Sequence, residues 1–281
     1  MASSSIANET VDHASERGRF TFYKLITNRY FLYTVSLVGF FALWHWTAVN
    51  KIFQNSLATP KEVLDQIIRL TTMNFAGNNL WGHIWGSTQR VLVGFVLASL
   101  VATPLGLFMA LNKTVNAIVK PLFDLFKPMP PIAWVSLAIL WFGIGETSKV
   151  FIIIIGTFVP CLLNAYNGVR LVDPDLFDVI RVLGGNRRDE IFNVCLPASF
   201  PAIFAGLQIS LSAAWTCVLA AELMNSRDGL GFLIKRGMDT HSPALVLSGM
   251  LLIAAAAWLS SLAIALLERK CCPWKRSIDN I

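Results

Sequence analysis

The sequence predicts an all-α membrane protein with six transmembrane helices. Hydrophobic residues make up 55% of its 281 residues. Charged residues make up only 14%, well below the roughly 25% of a typical soluble domain. The apolar residues gather in runs long enough to cross a bilayer, which takes about 20 helical residues. Because a backbone in lipid must satisfy its own hydrogen bonds, these runs are expected to be helices.

Polar loops separate the predicted spans, which lie at 31–49, 91–111, 118–142, 150–169, 196–221 and 242–267. The third span is the least regular, because Pro128, Pro130 and Pro131 remove backbone donors near its middle and should break the helix. Carbonyl groups freed in this way can line a transport path. A kink satisfied by neighbouring helices is an equal alternative.

Lys and Arg residues are distributed unequally between the two sides of the membrane. Fourteen fall on the side of the two termini and seven on the opposite side. Cytoplasmic loops are the ones enriched in Lys and Arg, so both termini are expected to be cytoplasmic. The predicted organisation is a cytoplasmic tail at 1–29, a transmembrane domain at 30–270 and a second cytoplasmic tail at 271–281. The basic residues form no stripe of the kind that binds nucleic acid.

The segment after the first span predicts a short helix at the outer surface. Thr59 is a capping residue, Pro60 suits a first helical position, and the pattern continues to about Leu70.

The loop at 170–196 is too polar to insert and too long for a tight turn. Asp173 and Pro174 favour a helix start, and apolar residues follow at helical spacing. Gly184 and Gly185 then predict its end. A second short helix is expected from Arg187 to about 194, ending at Leu196-Pro197. The loop therefore reads as two helices on the cytoplasmic face, and an ordinary interfacial amphipathic helix is the alternative.

This loop resembles the cytoplasmic signature of ABC-importer permeases, E-A-A-x3-G-x9-I-x-L-P. Asp178 stands at the acidic position, Gly184 at the glycine, and Leu196 and Pro197 at the Leu-Pro pair, with both spacings kept. The two alanines are replaced by Val179 and Ile180. The resemblance implies that the loop docks into an ATPase subunit. The residues it assigns to this coupling are Asp178, Arg181, Gly184, Gly185, Leu196 and Pro197.

Further motifs resemble the nitrate, sulfonate, taurine and bicarbonate branch of that family. They extend over roughly 57–276 and comprise 127–134, 140–149, 220–223, 229–232 and 273–274. The resemblance implies the type I ABC-importer permease fold in a bacterial inner membrane. It also implies a second permease copy in a homodimer, two ATPase subunits that carry ATP and Mg²⁺, and an external binding protein that delivers a small anion.

The chain itself contains no Walker A pattern and no clustered residues for catalysis or metal binding. It is therefore expected to be a transport subunit without a cofactor of its own. An ion-coupled secondary transporter is the alternative, and it would require buried acids in mid-span and an internal repeat. The candidates for the substrate pathway are Pro130, Asn164, Gln208, Ser212 and Trp215.

Two charged residues fall at the outer ends of predicted spans. A charge at the position of Arg90 is costly unless it is paired or reaches an interface. Glu222 is expected to pair with Arg90 or with a basic residue of an outer loop. A structural role is favoured for both.

Overall fold

The computed structural model describes residues 29–52, 56–75 and 77–274, and within these ranges the regular structure is entirely helical. The predicted tails at 1–29 and 271–281 lie largely outside them. The chain divides after Leu64 into two compact units. The helices are α1 Arg29–Val49, α2 Pro60–Thr72, α3 Leu80–Leu111, α4 Lys113–Phe126, α5 Trp134–Phe142, α6 Glu146–Arg170, α7 Pro174–Val182, α8 Leu196–Asn225, α9 Leu230–Asp239 and α10 Pro243–Cys271.

The first unit contains α1 and the start of α2. The indole nitrogen of Trp44 donates to the carbonyl oxygen of Ala58 over 3.0 Å. The start of α2 is closed by a capping box: the backbone amide of Thr59 donates to Glu62, and that of Glu62 donates to the Thr59 hydroxyl. The predicted proline-started helix is confirmed, and it extends two residues past Leu70.

Five of the described helices are long and apolar enough to cross a membrane, and there are six spans when the bent pair of α4 and α5 is counted as one span. Six spans were predicted, and this arrangement agrees. The second span is much longer than predicted, because α3 begins at Leu80. Its first three turns carry His83, Ser87 and Arg90, which are polar but buried against the protein. Hydropathy along the sequence therefore missed them.

The predicted break in the third span is confirmed. α4 ends at Phe126, a 3-10 turn occupies Pro131–Ala133, and α5 leaves at 76° to α4. Lys120 and Lys127 both pair with Asp124 on α4. A groove of about 710 Å³ opens beside the break, and its walls include Phe123, Pro131, Trp134 and Pro160.

The core of the second unit is formed by α3, α6 and α8, with α6 packed extensively against both of the others. Small residues allow this close approach, as is common between helices in membranes. A Cβ atom at Gly106 of α3 would lie 2.5 Å from the carbonyl oxygen of Leu162 on α6. Gly206 of α8 likewise packs directly on Asn164 of α6.

One prediction about the 170–196 loop is wrong. The second helix of the loop does not end at Leu196-Pro197, because the backbone remains helical from Arg187 into α8. A π-helical turn, Glu190–Cys195, lies immediately before Leu196-Pro197. There the amide of Leu196 donates to the carbonyl of Ile191, five residues back. This wider turn accommodates the proline, whose ring would meet the carbonyl four residues earlier in an α-helix.

Candidate functional site

The 170–196 loop folds as two helices joined by a glycine turn. α7 starts at Pro174 behind a cap from the side chain of Asp173, which accepts from the amide of Asp175 over 3.0 Å. Gly184 has φ +81°, a left-handed value that favours glycine. The amide of Gly185 then returns to the carbonyl of Ile180 over 2.9 Å. The end of α7 is therefore fixed by backbone geometry that only a few residue types can adopt.

The second helical segment begins at Asn186 with a capping box. The Asn186 side chain accepts from the amides of Arg188 and Asp189, and the Asp189 carboxylate accepts from the amide of Asn186. Each cap satisfies amide groups that a helix start would otherwise leave open. The turn between the two helices is thus held from both sides.

Arg181 links the two helices of the loop. Its Nε donates to Glu190 Oε1 over 2.7 Å, and its Nη1 donates to Asp178 Oδ1 over 3.1 Å. The hydrogen bond that Arg181 donates to Glu190 is the main cause that raises the pKa of Arg181 above its already high ordinary value. Asp178 and Arg181, both assigned to coupling by resemblance, thus share one ion-pair network with Glu190.

The loop also presents apolar side chains to its surroundings. Leu171 is 82% exposed, Val182 is 87% exposed and Leu183 is 80% exposed. Leu176 and Val179 on α7 are exposed as well. Contiguous exposed apolar residues of this kind mark surfaces that bind another protein or a membrane.

At the opposite end of α6 lies a group of polar and charged side chains around the buried Arg90 and Glu222, which we call the polar hub. It consists of Ser87, Arg90, Glu146, Glu222 and Asp228. Arg90 donates to Glu146 from Nε and Nη2 over 2.5 and 2.8 Å, to Glu222 Oε1 over 2.8 Å, and to Asp228 Oδ1 over 2.7 Å. The pair between Arg90 and Glu222 is one of the two arrangements that the sequence left open.

Lys149 borders the hub and is itself buried. Its Nζ donates to Glu146 Oε1 over 2.8 Å and to the hydroxyl of Ser226 over 3.1 Å. The hub and Lys149 together bring α3, the start of α6 and the segment between α8 and α9 to one point. Arg90 is accordingly a structural centre, as its position in the sequence suggested.

The hub also caps the start of α9. Glu222 is fully buried, and its carboxylate accepts from the amide of Gly231 over 2.8 Å and from the hydroxyl of Ser87. The amide of Leu230 donates to the Ser87 hydroxyl, and that of Gly229 donates to His83 Nδ1 over 3.1 Å. Side chains from α3 and α8 therefore satisfy the amides at the start of α9, where a carboxylate is favoured.

The five pathway candidates do not form one cluster. Trp215 is buried, and its Nε1 donates to Ser260 of α10 over 2.9 Å. Gln208 also faces α10, where its Nε2 donates to Glu268 over 2.8 Å. Ser212 is exposed on α8.

The other two candidates lie on α6 and at the break between α4 and α5. Asn164 packs against Gly206 and donates to the carbonyl of Pro160. Pro130 is exposed at the break between α4 and α5. The assignment of these five residues to a pathway stays a prediction.

Sequence reasoning missed most of the hub. It singled out Arg90 and Glu222 but not Ser87, Glu146 or Asp228, which lie 56 to 143 positions from their partners in the chain. A buried arginine signals that acids must be near it, but a single sequence does not show which ones.

The comparisons with known proteins agree with this architecture. The family described as "Binding-protein-dependent transport system inner membrane component" matches residues 102–271. The taurine transport system permease protein TauC of Escherichia coli is 32% identical over 84% of this chain and 86% of its own length. The putative aliphatic sulfonates transport permease protein SsuC of Bacillus subtilis is 34% identical over 72% of this chain and 73% of its own length. The bicarbonate transport system permease protein CmpB of Synechococcus elongatus is 29% identical over 83% of this chain and 86% of its own length.

A solved structure of the MetNI methionine ABC transporter in an inward-facing conformation shares the fold. Its matched chain has a TM-score of 0.59 at 15% identity, over 68% of this chain and 97% of that one. The helical architecture is therefore that of an ABC-importer permease, and the ion-coupled secondary transporter gains no support. The match over 102–271 and the relatives aligned across most of their length show that this chain belongs to the family of binding-protein-dependent transport system inner membrane components.

Proposed function

We propose that this chain forms the membrane path of an ABC importer for sulfonates such as taurine. The observation that carries the substrate class is the identity to permeases named for taurine and aliphatic sulfonates, at 32% and 34%, against 29% for the one named for bicarbonate. An anion can cross such a path by binding to hydrogen-bond donors. A buried, unpaired Lys or Arg side chain would bind the anion too tightly for release. The middles of α6 and α8 carry no Lys or Arg, which suits this mode.

The test is uptake into vesicles that contain this chain together with its partner ATPase and binding protein. We expect labelled taurine to accumulate only with ATP and binding protein present. Unlabelled short alkanesulfonates should compete, and bicarbonate and nitrate should not. ATP-dependent accumulation of labelled bicarbonate or nitrate without taurine uptake would contradict the sulfonate assignment while keeping the importer.

The 170–196 loop is the surface that the partner ATPase is proposed to contact. Its exposed leucine and valine side chains offer an apolar face, and Asp178 and Arg181 are held in fixed positions beside it. The partner ATPase binds ATP and Mg²⁺ and hydrolyses the ATP. Co-purification of the ATPase should be lost when Val182 and Leu183 are both replaced by Asp. It should persist when the exposed Leu140, at the far end of the bundle, is replaced in the same way.

A second copy of this chain is the proposed occupant of the groove beside the break between α4 and α5. Its walls include Phe123, Pro131 and Trp134, so they offer an anion few partners, whereas apolar side chains of another protein would be well accommodated. A cysteine placed at Met129, which lines the groove, is expected to cross-link two permeases in the membrane. Absence of cross-linking in the assembled transporter would contradict a dimer through this face.

The proposed location is the bacterial inner membrane with both termini cytoplasmic. A membrane-impermeant thiol reagent added to intact cells should then label a cysteine placed at Asn78 or Asp239 but not one placed at Asn186. Labelling at Asn186 from outside would reverse the orientation.

A further inference from the structure

The 170–196 loop is joined to its two neighbouring helices in different ways. On the side of α6, three non-helical residues, 171–173, separate the helix from α7. On the side of α8, the backbone is helical without interruption from Arg187 onward. A few residues between elements absorb the φ and ψ changes of a movement, whereas a continuous helix moves as a unit. A displacement of the loop is therefore transmitted mainly to α8.

α7 is fixed to the beginning of this continuous helix. It packs against the π-helical turn Glu190–Cys195, and the 2.7 Å ion pair between Arg181 and Glu190 joins the two. The return bond from Gly185 to Ile180 and the capping box at Asn186 restrict the turn between them. α7, the glycine turn and the π-helical turn thus form one lever attached to α8.

The π-helical turn determines the direction in which this lever points. A π-helix makes its hydrogen bonds five residues back and so contains one residue more than an α-helical turn. If the turn became α-helical without a change in residue number, α7 would rotate about α8 by roughly 100° and shift by about 1.5 Å. Pro197 favours the π-helical turn, because it lacks an amide donor and needs space at the carbonyl of Asn193.

We propose that Pro197 and the π-helical turn set the rotational position of α7 about α8, so that movement imposed on α7 is delivered to α8 in the direction that transport requires. Pro197 is a positioning residue in this scheme, because it acts through the backbone of the turn. The proposal rests on the proposed coupling role of the loop. A specific consequence is that function depends on the rotational position of α7 about α8, which we call the phase, as well as on the residues that touch the ATPase.

The test measures uptake and ATP hydrolysis in vesicles that contain the complete transporter. Pro197→Ala allows the turn to become α-helical, and uptake per ATP hydrolysed is expected to fall about tenfold, within the range for a disturbed coupling element. Deleting the exposed residue Asn193 in the Pro197→Ala background removes the extra residue and restores the original phase. This second variant is expected to recover coupling to within about twofold of wild type, which a loss of stability alone would not do.

Pro201→Ala provides the matched control, since Pro201 lies inside α8 beyond the π-helical turn. We expect it to leave uptake per ATP unchanged. Normal coupling in Pro197→Ala would overturn the proposal, and so would failure of the Asn193 deletion to rescue it. If Pro197→Ala alone does not assemble, the variant that also lacks Asn193 tests the proposal, because it must both assemble and couple ATP hydrolysis to uptake. A wild-type transporter whose ATP hydrolysis does not respond to the binding protein would instead contradict the proposed function.

Discussion

Replacing Glu222 by Gln should destabilise the second unit strongly, although the side chain keeps its size. The carboxylate is fully buried, and both of its oxygens accept hydrogen bonds. One oxygen faces Arg90 Nη1 at 2.8 Å, the other faces the amide of Gly231 at 2.8 Å, and the hydroxyl of Ser87 lies 2.8 Å from both. A glutamine must place its NH₂ group against one of these donors in either orientation, so a donor faces a donor.

The expected loss follows from breaking a buried ion pair. Removal of one partner of a buried ion pair costs about 3–5 kcal/mol. Arg90 keeps Glu146 and Asp228 as partners. However, either its Nη1 or the amide of Gly231 then faces an NH₂ group where it had a buried carboxylate acceptor. With a shift of roughly 2–4 °C per kcal/mol for a domain of this size, the melting temperature should fall by about 6–20 °C. Glu146→Gln is the matched comparison. Glu146 also pairs with Arg90, but its side chain is 62% exposed, so water can replace the lost bonds and about 1 kcal/mol is expected.

Thermal unfolding of the purified protein in detergent can be followed with a thiol-reactive fluorophore. Cys161 and Cys217 are buried in the core of the second unit and should react only when it opens. The reasoning is refuted if Glu222→Gln melts within about 3 °C of wild type, or if Glu146→Gln loses as much stability as Glu222→Gln.

Three further pairs of substitutions test other parts of the structure. Gly184→Val places a branched side chain at φ +81° and should reduce uptake per ATP hydrolysed while insertion into the membrane persists. Gly184→Asn should retain coupling, because asparagine tolerates this conformation. Normal uptake by Gly184→Val would refute the coupling role. Gly106→Ala brings a methyl group against the backbone of α6 and should cost about 1–3 kcal/mol of stability in the fluorophore assay. Gly39→Ala should cost nothing, because no atom lies within 4 Å of the added methyl group. Equal melting temperatures of the two variants would contradict the packing at Gly106. Gln208→Ala should reduce uptake without loss of the bound ATPase. Trp215→Ala should reduce uptake and also lower stability, because the indole of Trp215 is buried. Wild-type uptake by Gln208→Ala would show that Gln208 is not part of the pathway.

The sequence alone was sufficient for the approximate positions of the spans, the proline break and the outline of the 170–196 loop. Each depends on a signal that is local in the chain. An apolar run of about 20 residues spans a bilayer, prolines interrupt a helix, and glycine ends one in a left-handed conformation. For this reason the helix start at Pro60 and the turn at Gly184 were located correctly.

Tertiary structure decided the features that depend on partners distant in the chain. The extension of α3 back to Leu80 depends on burial of His83, which accepts from the amide of Gly229, and of Arg90, which donates to Glu222. Both partners lie more than 100 positions away in the chain. The continuity of the 170–196 loop with α8 contradicts the local expectation of a stop at Pro197. The backbone remains helical there by widening into a π-helical turn, whereas the rule that proline ends or kinks a helix predicted a stop. The length of an apolar segment is a property of the local sequence. The pairing of buried charges and the rotational position of one helix relative to another arise only when the helices are packed together.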